Sequence, residues 1–301
     1  MNEQVYRVSP NGRYFVDQDG VPQFWLGDTQ WNLFRSHTYE EAKIIIENRR
    51  KIGFTVIQVM LLGFMHNIHA PAVNGEAFPD HNPTAPNLAY FDHVESIIEY
   101  ARQQGIVLVI GLDHPTIRLV NRDTARSYGR WIGERYGKYS NIIWSATYLV
   151  PEGENLEIMR EIAQGLHEGD TGNHLITCHP DPANPVATSG ISHKEVWLDF
   201  NCIQTFSSIQ LIYESVAADY ARMPPKPVVM AEGSYEAGTE YGYEVTPRLV
   251  RKQAYLSYFA GGHHSYGHYE KNTRNRSGSS ILAGSEKRKC RKCCRFYFKR
   301  R

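Results

Sequence analysis

No stretch of this sequence approaches the roughly 20 consecutive apolar residues that a membrane-spanning helix needs, so no membrane segment is expected. The opening residues, MNEQVYRVSPNG, lack a basic stretch followed by an apolar one. No secretion signal is therefore read there, and a cytoplasmic location is the simplest expectation, unless a leader has been removed. GxGxxG does not follow the first strand-like run, and GxxxxGK[ST] is absent, which disfavours doubly wound nucleotide binding. The five cysteines form no evenly spaced framework. Cys178 and Cys202 lie in apolar runs and Cys290, Cys293 and Cys294 in a basic tail, so no structural disulfides are expected. His66 and His69 come nearest to a metal motif. A zinc hydrolase needs three or four converging ligands, so no metal and no other cofactor is expected.

Net charge is also scarce, at +1, but it is unevenly spread. Residues 270–301 hold 12 Lys/Arg against 2 Asp/Glu, which leaves 21 basic and 30 acidic residues elsewhere, a net of −9. An acidic body argues against a nucleic-acid partner. A hydrophobic content of 42% and a charged content of 22% over 301 residues are those of an ordinary globular chain, long enough for one large α/β barrel.

What is present is alternation. Strand-like runs occupy residues 23–31, 54–63, 106–114, 141–150, 174–182, 197–206, 226–233 and 263–268. Amphipathic helices are expected over 38–53, 88–105, 124–139, 155–169, 210–223 and 246–262. In the first of these, Thr38 and Glu41 form a capping box and Gly53 supplies the stop. Near-continuous apolar strands signal a parallel sheet covered on both faces. Eight such units fit a (β/α)₈ barrel over residues 1–268, followed by a tail over 269–301.

In such a barrel the working face lies at the C-terminal ends of the strands. Those ends carry Asp28 and Trp31, Asp113 and His114, Thr147 and Tyr148, His179 and Asp181, Gln204, Glu232 and Tyr235, and His263 and His264. Carboxylates, imidazoles, amides and aromatics in one place suit a carbohydrate: rings cover sugar faces, and Asp, Gln and His bond hydroxyls. Trp31 alone among the tryptophans follows a strand end with polar neighbours and is the candidate sugar platform. In KPVVMAEGSYE, Glu232 ends a rigid apolar strand, the placement a nucleophile requires.

Several segments resemble the apiosidase-like glycoside hydrolases of family 140. They are YRVSPNGRYFVDQDGVPQFWLGDTQWNLF, NRRKIGFTVIQVMLL, NPTAPNLAYFDHV, YGKYSNIIW, EGDTGNHLITCHP, WLDFNCIQ, KPVVMAEGSYE and AYLSYFAGGHHSYGH, in order over residues 5 to 268. The resemblance implies a (β/α)₈ barrel that hydrolyses a glycosidic bond of an oligo- or polysaccharide with two carboxylates, the nucleophile falling on Glu232. It also implies an acid soon after NIIW, in a Gly-Gly-Asp-like turn. This chain instead reads SATYLVPEGEN, whose first acids are Glu152 and Glu154. Glu152 is the candidate acid/base by position, and Asp113 can substitute. Tyr148 is a weaker donor, its reference pKa being about 10. With none of these, the chain acts on a good leaving group or binds sugar without cleaving it. Asp28, Trp31, Asp113, His114, Tyr148, His179, Gln204 and Tyr235 are the expected substrate-binding residues. After GHHSYGH the chain also departs from the family's last helix. The basic tail shows no helical apolar period and reads as a disordered or frame-shifted end. A barrel lacking that helix would expose apolar surface that a second copy of the chain could cover.

Overall fold

The computed structural model describes residues 6–63, 72–114, 119–147, 149–180 and 185–269. Tyr148, His66, His69, Asp181 and the basic tail beyond Tyr269 lie outside these residues.

The chain opens with β1 (Arg7–Val8), β2 (Phe15–Val16) and β3 (Pro22–Gln23), a small antiparallel sheet the sequence did not announce. The first barrel strand, β4 (Leu26–Thr29), leads through the short α1 (Leu33–Ser36) into α2 (Tyr39–Ile52). That helix starts on the expected capping box of Thr38 and Glu41 and stops at Gly53, whose φ of 100° a side chain would resist. There follow β5 (Val56–Met60), α3 (Leu88–Gln103), β6 (Val107–Gly111), α4 (Arg122–Tyr136), β7 (Ile142–Ser145) and α5 (Gly153–Gly169). Next come β8 (Ile176–Thr177), β9 (Ala187–Thr188), β10 (Asn201–Gln204), α6 (Ile212–Tyr220), β11 (Val228–Glu232), α7 (Pro247–Phe259) and β12 (His263–Tyr266). All eight expected barrel strands are present, each shorter than its apolar run.

These eight strands lie side by side in the order β8-β7-β6-β5-β4-β12-β11-β10, all parallel, with β9 antiparallel on the outer edge of β10. Among the described residues no ladder joins β8 to β10. Isolated bonds close the cylinder there instead: the Asp199 N–H donates to Ile176 O at 2.9 Å, the Ile176 N–H to Asp199 Oδ2 at 2.7 Å, and Thr177 Oγ1 to Phe200 O at 2.8 Å. The result is a (β/α)₈ barrel with one seam tied largely by side chains.

Side chains alternate along each strand, so packing partners reveal which face each residue takes. Trp25, Val56, Val107, Val109, Ile143, Phe200, Cys202, Val229 and Ala231 pack together as the barrel interior. Ile57, Val59, Leu108, Ile110, Trp144 and Ala146 pack outward against the helices. The N-terminal sheet stoppers the bottom of this interior. Phe15 lies 5.1 Å from Trp25, 5.2 Å from Phe200 and 5.1 Å from His263, ring centre to ring centre. Outside, α4 and α5 meet at backbone distance. A Cβ added at Gly129 would sit 2.4 Å from Ile162 O, and one at Gly165 would sit 2.1 Å from Arg126 O.

Candidate active site

Simple alternation along β11 would turn Glu232 outward, because Val228 and Met230 pack against the helices. The register shows why it does not. Ile203 of β10 is opposite Met230, but Gln204 is opposite Glu232, so β11 carries one extra residue, Ala231. Such a bulge bends a strand and re-aims the side chain that follows. Gln58 of β5 holds the bulge from inside the barrel, its Nε2 donating to Ala231 O at 2.9 Å. The Thr205 N–H anchors the next carbonyl, Glu232 O, at 2.9 Å. Glu232 is thereby swung into the mouth.

Three of the expected residues surround it. The Tyr235 hydroxyl lies beside the Glu232 carboxylate and accepts from Trp31 Nε1 at 2.8 Å. The Trp31 ring stands edge-on to His179, with 5.6 Å between ring centres. His179 Nε2 lies 3.4 Å from Glu232 Oε2. The Glu232 side chain is 13% exposed and that of His179 3%, so solvent and a ligand reach the carboxylate more readily than the imidazole. Burial pushes the His179 pKa down to about 3, and the nearby His114 pushes in the same direction. The 3.4 Å approach is thus a neutral ring beside a carboxylate, not an ion pair. Burial also lowers His114 to about 4, and burial together with the charge of Glu232 raises Tyr235 well above the usual phenol value.

The remaining candidates fall elsewhere or take other roles. Asp28 does not face the mouth. It is buried against the helix layer, with Oδ2 2.5 Å from Arg49 Nε of α2 and 2.7 Å from Gln30 Nε2. Alternation is the cause: Gly27 faces the interior beside Ser265 and Trp25, so its neighbour faces out. Trp31 is only 2% exposed, which makes it a wall of the mouth and not an open platform. Glu152 is exposed at the N-cap of α5, and its side chain makes no capping bond. Asp113 is buried two residues past the end of β6, and its Oδ1 accepts from the Leu119 N–H at 3.4 Å. Gln204 is buried opposite Glu232. Glu236, the second acid of the seventh-strand motif, is also buried and accepts from the Tyr266 hydroxyl at 3.0 Å. Sequence reasoning placed Thr147 at a strand end without giving it a role and missed Gln58 and Ser145, although strict alternation from Trp144 would have pointed both hydroxyls inward. Among the described residues no group of His, Cys, Asp or Glu could hold a metal ion, and no helix is long and apolar enough to cross a membrane.

A family model described as "Apiosidase-like, catalytic domain" matches residues 9–279. The chain belongs to this family. Among solved structures, the apiosidase-like chain is similar to a glycoside hydrolase family 5 protein from Bacteroides vulgatus ATCC 8482. The identity is 28% and the TM-score 0.74, over 88% of this chain and 63% of the other. Another structure, titled only "Glycoside hydrolase", shares 27% identity at a TM-score of 0.76, covering 92% and 69%. A family 5 mannosidase from Rhizomucor miehei, 11% identical at a TM-score of 0.69 over 93% and 92%, shares the fold. The apiosidase-like chain thus spans less than two thirds of the first of these proteins. No curated protein matches it.

Proposed function

We propose that the chain hydrolyses a glycosidic bond of a plant or microbial polysaccharide side chain with retention of configuration, using Glu232 as the nucleophile. One observation carries the reading: a bulge and an interior amide aim a partly exposed carboxylate, beside the Tyr235 hydroxyl, into the mouth of the barrel. Glu232 attacks the anomeric carbon while a second carboxylic acid protonates the departing oxygen. Water then releases the covalent glycosyl intermediate, with the second group acting as base. A retaining pair stands about 5–5.5 Å apart. Of the two acids considered, buried Asp113 at a strand end suits this role better than exposed Glu152. Trp31, His114, His179, Gln204 and Tyr235 would shape the pocket around the sugar, with Tyr148 a further contact by its place in the sequence. Glu232→Gln should remove turnover of chromogenic glycosides by a factor of about 10⁴ or more while leaving the melting temperature in place. Retained turnover in that variant refutes the assignment. Asp113→Asn should slow glycosides with poor leaving groups more than aryl glycosides, and Glu152→Gln should do neither.

The run from Ser145 to Val150 carries no carboxylate, and this favours a second reading, a carbohydrate-binding protein that no longer cleaves. Calorimetric titration with oligosaccharides alongside a reducing-end assay separates the two. Binding without product supports the second reading; product release removes it.

A further inference from the structure

Most buried polar atoms in folded proteins have a hydrogen-bond partner, and each exception calls for a reason. Three exceptions gather on one side of this mouth. Ser145 Oγ, Thr147 Oγ1 and Gln204 Oε1 are buried and have no partner among the described residues. Their residues are 1%, 0% and 6% exposed. All three lie on the inner face. Ile143 packs in the interior and Trp144 and Ala146 against the helices, so Ser145 and Thr147 point inward. Cys202 packs in the interior and Ile203 outward, so Gln204 points inward as well. The pairing extends past the end of β7, because the His179 N–H donates to Thr147 O at 3.1 Å. Thr147 is therefore the backbone neighbour of His179, and Gln204 is the register partner of Glu232. In the next strand, Gly111 is opposite Ser145 and contributes no side chain to cover it.

We propose that Ser145, Thr147 and Gln204 form a hydroxyl-binding subsite that takes adjacent hydroxyls of the sugar ring seated at Glu232. The atoms define the ligand. An amide oxygen only accepts, whereas a serine or threonine hydroxyl both donates and accepts. The complementary group is a neutral one that can donate at one position and donate or accept at the next, which is a vicinal diol. An anionic group would meet the Gln204 oxygen and the Glu232 carboxylate, both acceptors. Bound hydroxyls satisfy the three orphan atoms, and a ring lacking one of them leaves a buried atom unpaired, so these positions select the sugar. This inference rests on the carbohydrate reading of the mouth but not on Glu232 being the nucleophile.

The test uses the full chain carrying Glu232→Gln, with and without Thr147→Val, and a panel of 4-nitrophenyl pentosides and hexosides with their monodeoxy analogues. Without ligand, Thr147→Val should leave the melting temperature unchanged or slightly raised, because it removes a hydroxyl that has no partner among the described residues. It should weaken binding of the preferred glycoside roughly five- to tenfold and leave the matching deoxy glycoside unaffected. Ser145→Ala should behave alike toward a neighbouring hydroxyl. A melting temperature lowered by several degrees without ligand would mean that the hydroxyl serves the fold, and it overturns the proposal. Equal weakening of parent and deoxy glycosides, or no binding by any member of the panel, overturns it as well. Turnover persisting in Glu232→Gln would refute the nucleophile and leave these binding results standing.

Discussion

A carboxylate that attacks carbon must be held at one angle, and the Tyr235 hydroxyl beside Glu232 is the group placed to hold it. A hydrogen bond to a charged group contributes about 1.5–3 kcal/mol, so Tyr235→Phe should lower kcat on a chromogenic glycoside roughly ten- to a hundredfold. An unchanged kcat would detach Tyr235 from the reaction. Asp28 illustrates the opposite case, a buried ion pair facing the helices. Removing one partner strands the other charge, so Arg49→Met should cost about 3–5 kcal/mol in urea unfolding, while Arg49→Met with Asp28→Leu should recover much of it. At this scale the sequence was partly legible. Residues at strand ends, such as Glu232, Tyr235 and His179, could be read because a parallel barrel sends its strand ends to one face. The direction of Asp28 could not, since LGDT reads the same whichever face is turned inward.

Among the elements, the helices were the most legible, because their caps and apolar periods are local. Thr38, Glu41 and Gly53 bound α2 as their chemistry requires. The bulge in β11 was not legible: nothing in VVMAE distinguishes a regular strand from one with a residue to spare, and only the pairing with β10 reveals it. The α4–α5 contact was also hidden, since Gly129, Gly133, Gly165 and Gly169 read as weak helix positions until the two backbones are seen to touch. Gly165→Ala gains helix propensity but drives a methyl group to 2.1 Å from Arg126 O. Crowding should outweigh propensity, destabilising the protein by about 1–3 kcal/mol, readable as a fall in melting temperature of several degrees. A raised melting temperature would show that the helices part easily.

For the whole molecule, the count and parallel order of the barrel strands were legible from the repeating pattern. The β8–β10 seam and the N-terminal stopper were not, because both depend on residues far apart in sequence. Charge storage is a property at this scale. Burial holds His114 and His263 down at about 4 and His179 and His264 at about 3, against about 6.5 in an unfolded chain. Between those values the unfolded chain binds protons that the folded one refuses, so their contribution is complete above about pH 6.5 and falls away on acidification. The urea midpoint should therefore drop from pH 7 to pH 5; an equal or higher midpoint at pH 5 would mean that these rings accept protons in place. The stopper carries a consequence for synthesis. Phe15 is made early, yet the rings it rests on belong to Trp25, Phe200 and His263, and β4 pairs with the last strand, β12. A growing chain must keep the Phe15 and Trp25 rings without these neighbours until Phe200 and His263 have been made, so the barrel cannot be sealed domain-fashion from its beginning. For this protein, the nascent state most exposed to chaperones and to misassembly is the one just short of residue 263.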